Sequence, residues 1–288
     1  MHFCVVLWGF TAILGKLITL QALPLVWWRM LLVTAALLLA RPFWSGVVRM
    51  NARLLASYAG IGVLLSLHWV TFYAAIKLAN ASVAATCMGI TPVIIALIDP
   101  WIARRRLDPR ELSYGVAVIP GVALVVGGTP YAMRAGVLVG VASAALIAIV
   151  SCLNKRFVGR AGALSVTGIE IAAGVVFLPL LAPFLQHGET LFALPDRHDL
   201  FLLLTLAFAC TLLPFALSLV ALRELSAFST ALAVNLEPVY AIVLAMLVFH
   251  EQRELGLGFY VGAAILLGVV FRHPLSQRGK LAPAEEAR

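Results

Sequence analysis

The sequence predicts an all-α integral membrane protein with ten transmembrane helices, arranged as two inverted five-helix repeats. Three observations carry that expectation. Of 288 residues, 62% are hydrophobic and only 12% charged, where a soluble domain has about 45–50% and about 25%. Ten apolar stretches near membrane-spanning length follow one another between short polar breaks. The second five of these stretches echo the first five in order.

A membrane helix needs about 20 mostly apolar residues. The stretches fall at 3–20, 24–41, 57–77, 82–103, 113–129, 135–154, 163–184, 200–221, 227–249 and 256–271. Polar or turn residues separate them, among them Gln21, Arg49-Met50-Asn51, Lys77, Arg104-Arg105-Arg106, Thr129-Pro130, Lys155-Arg156, Gln186-His187-Gly188-Glu189, Arg223-Glu224 and Glu251-Gln252-Arg253-Glu254. No basic segment or small-residue cleavage site accompanies the start Met1-His2-Phe3-Cys4, so the first stretch is expected to stay in the protein.

Loop charge sets the expected orientation. With the amino terminus in the cytoplasm, inside segments hold 15 Lys and Arg, while outside ones hold 4, namely Lys77, Arg134, Arg197 and Arg253. Lys16 and Arg29 lie within spans. The positive-inside rule then places both termini in the cytoplasm and favours an even number of spans.

The net charge of +8 does not point to nucleic acid, because the basic residues sit in short turns and form no stripe. Cys4, Cys87, Cys152 and Cys210 lie apart within apolar runs and read as small buried hydrophobes. No metal-ligand spacing appears, and no cofactor is expected.

The echo between halves is specific in order. At an offset of 146, Ala75 meets Ala221, Lys77 meets Arg223, Ala81 meets Ala227, Ala85 meets Ala231 and Pro92 meets Pro238. A one-residue slip then aligns Gly115 with Gly262 and Gly121 with Gly268. This divides the chain into repeats 1–130 and 131–273, followed by a tail at 274–288 expected to be disordered. Five is odd, so the second repeat enters the membrane from the opposite side. Inverted repeats are a recurrent plan of secondary transporters, with substrate held near the midplane between halves that rock to give alternating access.

Particular residues then carry a family resemblance. They are Leu7-Trp8-Gly9 in the first span, Arg29 in the second, Leu236-Glu237-Pro238-Val239 in the ninth, and Phe249-His250-Glu251 followed by Gly262 and Gly268. With them the chain resembles the EamA family of the drug/metabolite transporter superfamily over nearly its whole length. The resemblance implies a ten-helix permease in a bacterial inner (plasma) membrane that exports or exchanges amino acids and other small metabolites. One departure is the Arg104–Arg106 run, preceded by Asp99-Pro100, where the family has a Glu near the end of the fourth span.

Glu237 is the foremost candidate side chain. A charged carboxylate near the midplane costs about 2.5–3.5 kcal/mol on insertion scales, so it is expected to be protonated, paired or hydrated. It either contacts substrate or takes a coupling proton, or it makes a structural hydrogen bond. Pro92 and Pro238 are expected in the middles of the fourth and ninth spans, each freeing a carbonyl four residues back, at Met88 and Val234. Freed groups in hydrocarbon need protein or a water-lined cavity. Asn235 lies close by in sequence. His68, Trp69, Phe72 and Tyr73 form a stripe on the third span that suits either an apolar substrate or helix packing. Trp8 and Thr11 complete the substrate-binding candidates. Arg29 and Glu170 hold equivalent places in the second and seventh spans with opposite charge, as gating or coupling candidates. Each lies about 10 Å deep from opposite faces of a core about 30 Å thick, so a direct bridge is not expected. Arg29 alternatively snorkels outward beside Trp27 and Trp28.

The function expected is therefore small-molecule transport, with a proton as candidate coupling ion. The alternative is a polytopic membrane enzyme acting on a lipid-soluble substrate. No paired-Asp motif, His-Glu-x-x-His or nucleophile elbow supports it, and no phosphate-binding loop supports ATP hydrolysis. A channel lacks a charge ring or glycine filter. Substrate, direction and oligomeric state stay open.

Overall fold

The computed structural model describes residues 1–102, 109–157, 159–185, 190–214, 217, 234 and 236–269. The described residues are helical, with no strand among them. The Arg104–Arg106 run, Asn235, the Ala221–Ala231 part of the repeat and the tail at 274–288 lie outside them.

The helices are α1 (His2–Leu17), α2 (Ala22–Leu38), α3 (Arg41–Val47), α4 (Ala52–Leu78), α5 (Ala81–Met88), α6 (Thr91–Ile102), α7 (Pro109–Gly128), α8 (Arg134–Phe157), α9 (Ala163–Leu185) and α10 (Arg197–Leu204). Helix α10 runs on as a π-helical turn, Thr205–Leu212. Helices α11 (Glu237–Phe249) and α12 (Leu257–Val269) complete the series.

Four segments are long and apolar enough to cross a membrane: Ala52–Leu78, Ala81–Ile102, Tyr131–Phe157 and Ala163–Phe184. The pair α2 and α3, bent by 88°, makes a fifth if counted as one. Helices α1, α11 and α12 are shorter apolar helices, as is the Ile119–Gly128 part of α7. Each apolar stretch of the sequence thus contains helix in its described part.

Burial is inverted relative to a soluble protein. Phe184, Leu138 and Leu247 are 79%, 73% and 69% exposed, while Arg29, His68, Asn80, Ser143, Glu170 and Glu251 are buried. An apolar exterior fits lipid, where polar groups must find partners inside.

Two features depart from the expected spans. Helix α3 was not expected. Arg41-Pro42 starts it, and it turns sharply off α2 to pack on α9, where the Ser165 hydroxyl donates to the Phe43 carbonyl at 2.9 Å. The fourth span is also broken. Pro92 has no N–H to give the Met88 carbonyl, and its ring crowds that turn. The chain tightens there, with Gly89 N–H donating to Thr86 and Ile90 N–H to Cys87, before α6 begins at Thr91. Pro92 therefore occupies the first turn of α6, at a tightened turn in the middle of the 22-residue span Ala81–Ile102. Pro238 likewise stands in the first turn of α11. There its missing N–H is one of the four that a helix start leaves free, so it costs no intrahelical bond.

Helices pair across the two halves of the chain. Helix α4 packs on α8 and α9, α2 on α9, α1 on α11, and α5 on α8 and α11. Glycines set the closest approaches. Gly62 of α4 faces the Glu170 backbone of α9, and Gly121 of α7 faces Gly262 of α12. A side chain at Gly62 or Gly262 would run into backbone.

Candidate functional site

A small pocket lies between α1, α4, α5 and α11. Its wall is small or apolar over most of its area: Trp8 and Ala12 from α1, Phe72 from α4, Ala85 and Met88 from α5, and Pro238 and Ala241 from α11. Two polar side chains join them, the Thr11 hydroxyl and the Glu237 carboxyl. Glu237 is the first residue of α11. A negative charge at a helix amino terminus is favoured by the helix dipole, which offsets part of the cost of holding it among apolar neighbours. The break before Pro238 therefore suits the acid beside it.

Of the residues expected to bind substrate, Trp8, Thr11, Glu237 and Pro238 line this cavity, and Trp69, Tyr73, His68 and Pro92 do not. His68 turns to α8, its Nδ1 3.0 Å from the Ser143 carbonyl and 2.8 Å from the Ser143 hydroxyl. That hydroxyl also lies 2.9 Å from the His68 carbonyl. Ser143 is fully buried, so this Ser–His pair offers no approach to an acyl substrate. The stripe on α4 is split: Phe72 meets the cavity, and its neighbours serve packing and Arg29.

Arg29 does not snorkel. It is buried, with its guanidinium carbon 3.9 Å from the Trp69 ring centroid. Nη1 donates to the Tyr73 hydroxyl at 2.7 Å, and Nε and Nη2 donate to the Thr211 hydroxyl at 3.0 and 2.8 Å. Thr211 sits in the π-helical turn, where its own hydroxyl donates to the Leu206 carbonyl at 2.7 Å. Trp27 and Trp28 are also anchored, donating to the Val175 and Ala193 carbonyls. Glu170 has a different partner: the Asn154 amide donates to its Oε2 at 3.4 Å. Among the described residues, the buried Glu170 Oε1 and Asn154 Oδ1 have no hydrogen-bond partner. Arg29 and Glu170 thus belong to separate polar clusters.

Phe72 belongs to the expected stripe, whereas the wall residues Ala12, Ala85, Met88 and Ala241 were not singled out as binding residues. Apolar residues inside apolar spans carry no mark of which face they take. Ala85 had a signal in its match with Ala231 in the repeat, and Met88 in the carbonyl that Pro92 leaves free. Asp196, His198 and Asp199 gather within 4.8 Å at the Lys16 end of the bundle. Both carboxylates already have structural partners. Asp196 caps the Asp199 N–H at 2.7 Å, and Asp199 takes the Thr19 N–H and hydroxyl and the Leu20 N–H at 2.7–3.2 Å.

The model of the EamA-like transporter family matches residues 1–127 and again 134–272. The chain belongs to the EamA-like transporter family. It is a multi-pass membrane protein of a transporter family, which implies embedding in lipid and a small-molecule substrate. No curated protein matches it. Among solved structures, one described only as a crystal structure of a protein is similar, with a TM-score of 0.61 and 17% identity over 93% of each chain. At that identity the likeness speaks for the fold alone.

Proposed function

We propose that this EamA-family protein is a ten-helix permease built from two inverted repeats, 1–130 and 131–273, with both termini in the cytoplasm. It moves small amphipathic metabolites of the amino acid class by alternating access. The observation that carries the reading is the cavity between α1, α4 and α5 of the first half and α11 of the second. It combines aromatic and alanine walls with one carboxyl and one hydroxyl, a pairing that suits a solute with an apolar body and an amino group.

The helix pairings support the repeat. Under a two-fold relation that exchanges first with sixth span and fourth with ninth, the contact of α1 with α11 maps onto that of α8 with α5 and α6. Both contacts are present. The fifth and tenth spans map onto each other and meet at Gly121 and Gly262. The separate family matches to each half agree. The charge distribution, 15 against 4 in the loops, supports the orientation in a bacterial inner membrane.

Glu237 contacts the solute or carries a coupling proton. The test is uptake of a mixed metabolite panel by purified protein in liposomes, beside Glu237→Gln, with an imposed pH gradient on and off. Loss of only the gradient response assigns Glu237 to coupling, and loss of uptake in both conditions with the fold intact assigns it to solute contact. A panel containing every proteinogenic amino acid, none of which moves or competes, contradicts the substrate class.

A further inference from the structure

At the Lys16 end of the bundle, the two halves of the chain are tied by one buried carboxylate. Glu251 has no solvent exposure. It accepts from Lys16 Nζ at 2.8 Å, from the Ala81 N–H at 3.1 Å and from the Ser82 N–H at 2.8 Å. His250, in the left-handed region with φ 56°, ends α11 and turns the chain so that Glu251 lies over the start of α5. Asn80 caps the same helix start through Val83 and donates to Glu254 at 3.2 Å. The free amides of α5 thus take one acceptor from their own strand of chain and one from the other half.

The three helices joined here, α1, α5 and α11, are three of the four around the cavity. Lys16 lies five residues beyond Thr11 and Ser82 three before Ala85, which is about one to one and a half helical turns from the cavity wall. The bonds therefore close the cavity at that end. They are also bonds that water can replace: a carboxylate, an ammonium 28% exposed and two amides.

A second lysine–carboxylate pair stands at the opposite end. Lys155, at the end of α8, is 3.6 Å from Asp99 of α6. The proposed two-fold relation carries α1 to α8 and the ninth span to the fourth, so the two pairs lie on corresponding helices; at the offset of 146 Glu251 itself meets Arg105, and Asp99 stands six residues before that position. The two pairs are not alike. The first pair is short and its acid fully enclosed. In the second the lysine side chain is 73% exposed.

We propose that Lys16–Glu251, with the amino terminus of α5, and Lys155–Asp99 are the latches of two alternating gates, the outer shut and the inner loosened in this conformation. The proposal rests on the permease reading for its membrane sides and its two states. A mere structural staple would loosen the protein without regard to side, whereas a latch shifts access from one side to the other.

The test reads access without needing a solute. Ala241→Cys, in a background with Cys4, Cys87, Cys152 and Cys210 replaced by Ser, is labelled with a membrane-impermeant maleimide from the outer or the inner face of oriented vesicles. Lys16→Met and Glu251→Gln raise outer-face labelling by about tenfold, the scale set by losing one charge-assisted hydrogen bond, and lower inner-face labelling. Lys155→Met shifts the ratio the other way. Arg253→Ala, in the same turn but exposed, leaves it unchanged. Where Glu251→Gln does not fold, Lys16→Met still tests the latch, because the Glu251 cap on α5 stays. Unchanged outer labelling in folded Lys16→Met protein, or an equal rise from both faces, overturns the proposal. Uptake of solute with unchanged labelling sinks the latch and keeps the permease. A shifted labelling ratio with no solute moved does the reverse.

Discussion

The Arg29 guanidinium is held by the Tyr73 hydroxyl at 2.7 Å, one helix away on α4, while the Trp69 ring on that same helix covers its face. A planar cation is thereby fixed from two directions, and the Thr211 hydroxyl of the π-helical turn closes a third.

Tyr73→Phe removes the acceptor and keeps the ring. Hydrogen bonds to charged groups contribute about 1.5–3 kcal/mol, so a loss of that size is expected in thermal unfolding of detergent-solubilised protein. Arg29→Lys does no better than Arg29→Met, because an ammonium can neither reproduce the fork nor stack on Trp69 in the same way.

Gly60 and Gly62 lie two residues apart on α4 and predict opposite outcomes. A Cβ on Gly60 meets nothing within 4 Å, whereas one on Gly62 meets the Glu170 backbone at 2.6–2.7 Å or closer. Gly60→Ala is neutral or stabilising by up to about 1 kcal/mol through helix propensity. Gly62→Ala costs about 1–3 kcal/mol by overpacking the α4–α9 contact. Melting temperatures of the two variants measured side by side check the contrast.

How much of this was legible in the residues varies by element. Long apolar runs announced α4, α8 and α9 because lipid leaves no other reading. Helix α3 was missed, since seven residues opened by Arg41-Pro42 look like a turn. Pro92 marks the middle of the fourth span, and the interruption falls just before it, at Gly89–Ile90, because a proline signals lost continuity but not which residues tighten. In the cavity, Glu237 stood out as an acid within an apolar run. Ala241 did not, because packing alone selects one apolar residue over the next. Lys16 and Glu251 are 235 residues apart, and only the fold brings them together.

Asp199 predicts a pH dependence of stability. It lies just outside the span at 200–221, and it caps the chain turn between α1 and α2. Burial pushes its carboxyl up, but the Thr19 N–H and hydroxyl and the Leu20 N–H together outweigh burial and hold it below the usual carboxylate range. A depressed carboxyl stabilises the fold above its unfolded value of about 3.9, and that contribution fades as pH falls through the lower folded value. Asp199→Ala therefore costs about 2–4 kcal/mol near pH 7, where it strands buried N–H groups. The gap between variant and parent narrows below about pH 4, as melting curves across that range would report. A gap independent of pH contradicts the assignment.

Among the described residues, Glu170 and Asn154 form a half-satisfied buried pair, each with an oxygen that finds no partner. Replacing both with Leu is expected to be neutral or stabilising in melting experiments, since such pairs often stabilise less than apolar substitutes. If Glu170 also serves coupling, Glu170→Gln keeps the fold and changes only the response of uptake to a pH gradient.

The most direct test of the cavity as the transport route is a plug. In Ala85→Phe a phenyl ring is set on the α5 wall of this pocket. Uptake by this variant in liposomes, compared with the parent for any solute the parent moves, is predicted to fall to background in protein that still folds, with overpacking costing about 1–3 kcal/mol in its melting curve. Parental uptake by a folded Ala85→Phe protein would contradict the account.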